Sequence, residues 1–157
     1  MRFYRDSLPA GQSFGLLLVR LVVGVAFLLH GWPKIQNPLH WMDGRASPPP
    51  ALLQAAAAVA EFGGGIALIV GFLTPLAAFG LAATMVGALV LSHVPKGHPF
   101  VAAGGGPSYE LALLYLGLMV ALFAVGPGRY SVDALLWGRT REAASVAREP
   151  LRRSTAA

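Results

Sequence analysis

The sequence contains no cysteine among its 157 residues. This absence excludes disulfides, thiolate-bound iron–sulfur clusters, covalently attached c-type haem and thiol nucleophiles. Any redox role must therefore use a bound organic cofactor, a haem held by histidine, or a partner protein.

Charged side chains are also scarce. They make up 12% of the chain, against about 25% in a typical soluble domain, while hydrophobic residues make up 55% and the mean hydropathy is +0.61. This composition indicates exposure to lipid. The net charge of +5 does not indicate nucleic-acid binding, because the basic residues lie in the termini and in loops that flank apolar runs.

Four apolar runs predict membrane spans at about residues 14–31, 52–72, 75–93 and 109–125. A run of roughly twenty residues at ~1.5 Å per residue matches a hydrocarbon layer of ~30 Å. The first run is too long for a signal peptide, contains Arg20 and lacks a small-x-small cleavage site. We therefore predict an all-α integral membrane four-helix bundle over 14–137, preceded by a polar lead (1–13) and followed by a basic tail (138–157).

The connecting segments carry turn and cap signals. The loop at 32–50 is rich in proline, and the stretch 94–108 is a Gly/Pro-rich connector that could act as a lid. Thr74 followed by Pro75 predicts an N-cap and first helical residue for the third span. Ser131 is predicted to cap a short segment after the fourth span.

The distribution of basic residues predicts the orientation. An even number of spans puts both termini on one side, and with the termini cytoplasmic eight basic residues lie inside and three outside. The inner set is Arg2, Arg5, Arg129, Arg139, Arg141, Arg148, Arg152 and Arg153, and the outer set is Lys34, Arg45 and Lys96. We therefore expect a multi-pass protein of the bacterial cytoplasmic (inner) membrane.

Two ionisable residues fall inside the predicted spans. A carboxylate such as Glu61 at membrane depth costs about 2.5–3.5 kcal/mol, so we expect it to be protonated or paired. Arg20 in the first span is the candidate partner, either as a proton and charge pair or as a structural pair that fixes helix register. Gly64 and Gly65 would let a neighbouring helix or a flat ligand approach closely.

A second polar layer is expected near the outer boundary, where His30, His93 and Glu110 end or begin their spans. Helix-dipole and interfacial roles would also explain these three residues. We expect no metal site, because the Glu-x-x-His spacing of bundle metal sites is missing. We expect no haem either, because the two histidines lie at the boundary.

A quinone head group fits this layer better. Its two carbonyl oxygens need hydrogen-bond donors on opposite sides and its reduction takes up protons, which histidine and carboxylate side chains can supply. Its flat ring would pass the glycines and its tail would extend into lipid.

Several motifs, taken in order, resemble the DoxX family of small four-helix bacterial membrane proteins over about residues 15–136. They are Arg20, His30-Gly31 with Lys34, Glu61 with Gly64 and Gly65, Gly71, His93, Tyr109-Glu110, and Gly126-Pro127-Gly128-Arg129-Tyr130-Ser131 with Asp133. The resemblance implies an integral membrane subunit. The family name derives from a subunit of a thiosulfate:quinone oxidoreductase, and some relatives are linked to oxidative-stress complexes or quinone detoxification.

These observations lead to one hypothesis and two rivals. The hypothesis is a membrane subunit that binds a quinone or similar lipophilic molecule near the outer face and supports redox chemistry with a soluble or membrane partner. Its candidate ligand contacts are His30, His93, Glu110, Gly64, Gly65 and Lys34, with Glu61 and Arg20 as the proton and charge pair. The rivals are a non-enzymatic assembly or interaction protein, and a small transporter or lipid-binding protein. Because Gly80, Thr84 and Ala88 form a small-residue stripe, a homodimer is also plausible.

Overall fold

The computed structural model describes residues 8–137, and within this range every regular element is helical. The helices are α1 (Ala10–Ile35), α2 (Ala51–Val70), α3 (Thr74–Ala88) and α4 (Glu110–Val125), with a π-helical turn at Leu89–His93 that continues α3. The predicted all-α class is confirmed. The polar lead up to residue 7 and the basic tail from residue 138 lie outside the described residues.

Three helical segments are long and apolar enough to cross a membrane: Ala10–Ile35, Ala51–Val70 and Thr74–His93. The fourth helix, Glu110–Val125, is apolar but has 16 residues, which at ~1.5 Å per residue is shorter than a ~30 Å hydrocarbon layer. The crossing by α4 and the cytoplasmic position of both termini therefore stay predictions.

Helix α1 extends further than the sequence predicted. It runs through Pro33 to Ile35, instead of ending near Gly31. Proline removes a backbone N–H and crowds the preceding turn, so it normally ends a helix. Here the added turn places Lys34 against α2, where its ammonium group finds a carboxylate.

Helices α1 and α2 are antiparallel and pack closely through glycine. A Cβ atom added at Gly65 would lie 2.6 Å from the backbone nitrogen of Leu28, and one added at Gly31 would overlap the backbone of Phe62. Helix α2 ends at Gly71, whose φ of +69° suits glycine, and a Cβ there would also strike the Arg20 guanidinium. The pairing places Glu61 at the level of Gly31.

The start of α3 differs from the predicted cap. Leu73 occupies the N-cap position and the Thr74 hydroxyl has no hydrogen-bond partner in the described part of the chain. The buried carboxylate of Asp133 takes over this role, accepting hydrogen bonds from the backbone N–H groups of Leu73 (2.7 Å) and Thr74 (2.9 Å). A residue far along the chain thus caps the helix, which local sequence could not indicate.

The core lies between the four helices. Buried apolar side chains from all four helices meet there: Val23, Phe27, Leu68, Ala78, Leu81, Met85, Ala112, Met119 and Leu122. The rings of Phe27 and Tyr115 link α1 to α4 at 5.0 Å between centroids. Beyond α4, Ser131 caps the helical segment at 132–137 by accepting from the N–H of Ala134, as predicted.

Candidate functional site: an α2/α3 cavity with an ion pair in its wall

Glu61 is paired with Lys34, and the predicted pairing with Arg20 is wrong. The Lys34 ammonium nitrogen lies 2.5 Å from Glu61 Oε2, and the two side chains are 21% and 5% exposed. Arg20 precedes Lys34 by roughly 20 Å along α1, at ~1.5 Å per residue, and is therefore far from Glu61. The apolar runs indicate neither the exact helix ends nor the relative register of α1 and α2, so the depth of the two residues could not be read from the sequence.

Arg20 instead lies fully buried at the opposite end of the molecule, bound by backbone carbonyl groups. Its guanidinium donates to the carbonyl oxygens of Leu68 (2.9 Å), Pro127 (2.6 Å) and Tyr130 (2.9 Å). These bonds join α1 to the end of α2 and to the segment after α4. The Arg20 side chain is therefore a structural crosslink in this fold.

A cavity of about 520 Å³ lies between α2 and α3, and the Lys34–Glu61 pair is part of its wall. Small residues on the two helices line much of it: Ala57, Ala60, Gly80, Ala83, Gly87 and Ala88. The small residues leave space where larger side chains would fill the contact between the helices. An ion pair in such an apolar wall is a polar contact point for a ligand.

The loop at 36–50 covers one end of this cavity and is held by Gln54. The buried Gln54 side chain accepts from the N–H of Met42 (2.8 Å) and donates to Asp43 Oδ1 (3.1 Å), while its backbone carbonyl accepts from Trp41 Nε1 (2.9 Å). Trp41 also packs over the Lys34 ammonium, 4.5 Å from nitrogen to ring centroid. Gln54 therefore fixes the aromatic wall of the cavity.

The carboxylate of Asp43 takes part in the hydrogen bonds that hold this loop. It accepts hydrogen bonds from Gln54 and, at 2.7 Å, from His40. The bond from Gln54 is the largest cause that lowers the pKa of Asp43 from its ordinary value, followed by the bond from His40.

Arg45 ties the loop to the other side of the cavity. Its guanidinium donates to Ser92 Oγ (2.9 Å) and to the carbonyl oxygen of Leu91 (3.3 Å), both in the π-helical turn. All three residues line the cavity. Polar groups thus stand on two walls: Lys34 and Glu61 on one, Arg45 and Ser92 on the other. π-Helical turns occur often at functional sites.

The second predicted layer is not assembled. His30 is exposed and its Nδ1 lies 2.8 Å from the carbonyl oxygen of Ala26 in its own helix. His93 packs against His98, with 3.0 Å between their Nδ1 atoms, and Glu110 is exposed at the start of α4. No cluster of three metal-ligating side chains occurs within residues 8–137. No contact joins His30, His93 and Glu110, so their role as ligand contacts has no geometric support.

The glycines and the small-residue stripe have separate roles. The backbone of α1 occupies the space beside Gly65, as expected if this glycine lets a neighbouring helix approach closely. Gly64 packs against Leu81 of α3. Gly80, Thr84 and Ala88 line the cavity. Their use in a homodimer stays a prediction.

Comparison with known proteins decides the family. The DoxX family model matches residues 15–94, a range that contains Lys34, Glu61 and every other residue that lines the cavity. The chain belongs to the DoxX family. No solved structure matches it significantly.

Three relatives of this DoxX chain cover most of its length. An uncharacterized protein of Haemophilus influenzae is 37% identical over 82% of this chain and 95% of the relative. Inner membrane protein YqjF of Escherichia coli is 29% identical over 80% and 94%, and an uncharacterized membrane protein of Mycobacterium tuberculosis is 33% identical over 77% and 80%. With three helices of spanning length, the chain is a multi-pass protein of the bacterial inner membrane.

Sequence reasoning found Lys34 and Glu61 but missed the loop residues. Neither Trp41 nor Gln54 belongs to a motif, and Arg45 enters only the count of outer charges. A polar Gln54 in the first turns of an apolar helix is the signal that could have indicated a partner. Its partners lie in an irregular loop, where no periodicity predicts side-chain direction.

Proposed function

We propose that this DoxX protein is a membrane subunit that holds a quinone, or a similar flat lipophilic molecule, in the α2/α3 cavity near the outer face of the membrane. One observation carries the proposal: the Lys34–Glu61 ion pair lies in the wall of a cavity whose other lining residues include five alanines and two glycines. Such walls admit a flat apolar ring, and the pair supplies a donor and a proton-exchanging group.

The polar groups on opposite walls match a ring with two carbonyl oxygens. Lys34 would donate to one oxygen, while Arg45 and the Ser92 hydroxyl would donate to the other. A quinone takes up two electrons and two protons on reduction, and Glu61 beside Lys34 is placed to exchange a proton with the nearer oxygen. The electrons would come from a partner, because the sequence has no cysteine and no flavin or dinucleotide motif.

The test uses Trp41 as a reporter inside the cavity wall. In a Trp32→Phe/Trp137→Phe background, the only remaining tryptophan is Trp41. A decyl-benzoquinone titrated into nanodiscs that contain this variant should quench the Trp41 fluorescence saturably.

Two glycine variants localise the binding. Neither Gly87 nor Gly63 has an atom within 4 Å of an added Cβ. Gly87 lines the cavity, while Gly63 lines only the adjoining apolar groove of about 650 Å³, which shares Ala56, Ala60 and Gly80 with it. Gly87→Leu should weaken binding by about tenfold or more because the side chain fills the cavity, while Gly63→Leu should bind normally. Quenching that rises linearly and equally in all three proteins would show lipid partitioning only and would overturn the proposal.

A further inference from the structure

The charges around the cavity do not balance. The ionisable side chains that line it are Lys34, Arg45 and Glu61. Glu61 is paired with Lys34, so Arg45 remains as an uncompensated positive charge at the edge of an apolar space. Within residues 8–137 the contacts between basic and acidic side chains are Lys34–Glu61 and His40–Asp43, the second an ion pair only when His40 is protonated, and neither includes Arg45.

The nearest acid in sequence is already engaged. Both carboxylate oxygens of Asp43 accept hydrogen bonds, one from Gln54 and one from His40. Arg45 itself donates only to neutral groups, the Ser92 hydroxyl and the Leu91 carbonyl. These two bonds orient the guanidinium and leave its remaining N–H groups without a partner in the described range.

We infer that the cavity selects an amphiphile whose head group carries one negative charge, with Arg45 as the residue that determines this specificity. The inference rests on the proposed function and names its ligand class: an acidic head such as a carboxylate, a phosphate or an ionised ring hydroxyl, on an apolar body. A guanidinium forms paired, charge-assisted hydrogen bonds with such groups. Next to a low-dielectric wall this attraction is stronger than in water.

The test compares two quinones that share ring and tail and differ at one ring substituent, which ionises in one of them and not in the other. A 3-alkyl-2-hydroxy-1,4-naphthoquinone ionises at the ring hydroxyl, while its 2-methoxy analogue has the same ring and tail and stays neutral. Binding is measured by Trp41 quenching in nanodiscs of neutral lipid at pH 7. We expect the ionised compound to bind about tenfold or more tightly than the neutral one, as charge-assisted hydrogen bonds usually allow.

Variants assign the preference to Arg45. Arg45→Gln should reduce the ratio of the two affinities to about one, because the ionised quinone loses the charge-assisted bond while both quinones lose the same donor. An unchanged emission maximum of Trp41 in the ligand-free variant shows that the cavity wall is intact. Arg45→Lys keeps the charge and should retain part of the preference. Lys96→Gln removes an exposed loop cation that does not line the cavity and should leave the ratio unchanged.

A second pair of probes separates this inference from the proposed function. Oleate and oleyl alcohol share one tail and differ in head charge. Equal binding of the two naphthoquinones to the unmodified cavity overturns the selectivity and leaves quinone binding standing. If oleate binds more tightly than oleyl alcohol and Arg45→Gln abolishes this difference, the selectivity for an anionic head group is supported. If neither quinone binds in the same experiment, the proposed quinone function is overturned. A preference that survives Arg45→Gln undiminished overturns the role of Arg45.

Discussion

The Lys34 ammonium lies 2.5 Å from Glu61 Oε2 and so joins the last turn of α1 to the cavity wall on α2. Trp41 packs over the Lys34 ammonium, and both members of the pair line the cavity. Helix α1 must continue past Pro33 for this contact to form. The ion pair therefore depends on the path of α1 and supplies charged groups to the wall of the candidate site.

Removing one member of this pair should be worse than removing both. Lys34→Met leaves the nearly buried Glu61 without its cation and should destabilise the protein by about 2–3 kcal/mol, less than the ~3–5 kcal/mol of a fully buried pair because Lys34 is 21% exposed. The double variant Lys34→Met/Glu61→Met should recover most of that loss. Thermal unfolding in detergent measures both. A double variant less stable than Lys34→Met would contradict an isolated ion pair.

Arg20 should matter for stability and not for ligand binding. Arg20→Met removes the donor from three backbone carbonyl groups, two of them in buried hydrogen bonds, and should reduce stability by about 3–5 kcal/mol. Arg20→Lys should also be destabilising, since an ammonium cannot reproduce the planar fork. The readouts are the Tm of the purified protein and its accumulation in membranes.

The same variants test the corrected assignment of Arg20. The conservative variant Arg20→Lys should bind the quinone probe with unchanged affinity under conditions where it is folded. A folded Arg20→Lys protein with abolished quinone binding would restore Arg20 to the site.

Gly65 and Gly63 offer a matched test of the α1/α2 contact. Gly65→Ala forces a Cβ to 2.6 Å from the Leu28 nitrogen and should destabilise the protein by about 1–3 kcal/mol. Gly63→Ala meets no atom within 4 Å and should be neutral or stabilising by up to ~1 kcal/mol, because alanine favours helix. Chemical or thermal unfolding of the two variants distinguishes them. Equal effects would show that the helices are further apart than described.

The loop over the cavity should loosen in acid. Hydrogen bonds from Gln54 and His40 lower the pKa of Asp43 below its ordinary value of 3.8. A carboxyl group with a lowered pKa stabilises the folded loop above the ordinary value, and this contribution is lost as the pH falls through the lowered pKa. Trp41 emission in the single-tryptophan background should therefore shift to the red below pH 3.8, and Asp43→Asn should remove that step. An unchanged transition in Asp43→Asn would exclude Asp43 as its origin.

The sequence predicted the helices well because their signal is collective. Long apolar runs and scarce charge identify α1, α2 and the span that ends at His93 without reference to any single residue. Boundaries were less accurate. Pro33 suggested a helix end that tertiary contact overrides, and Thr74 suggested a cap that Asp133 supplies.

The site was predictable only in part, because pairing depends on depth. Arg20 and Lys34 lie roughly 20 Å apart along α1, so the partner of Glu61 depends on the relative register of α1 and α2. Close contacts of Gly31 with Phe62 and of Gly24 with Gly65 set that register, and the ends of the apolar runs do not indicate it. His30, His93 and Glu110 share an end of their helices, but rotation about each helix axis decides whether they meet. Arg45 and Trp41 belong to an irregular loop, whose path is fixed by long-range bonds to Gln54 and the π-helical turn.

Photo-crosslinking with a diazirine-tagged alkyl quinone tests the central claim most directly, because it locates the ligand. The protein in nanodiscs is irradiated with the probe, digested, and the labelled residues are mapped by mass spectrometry. The α2/α3 cavity predicts labels within 53–61 and 83–92 that excess untagged quinone removes and that Gly87→Leu reduces. Labels concentrated on α4, or spread over all lipid-facing surfaces and insensitive to competition, would contradict it.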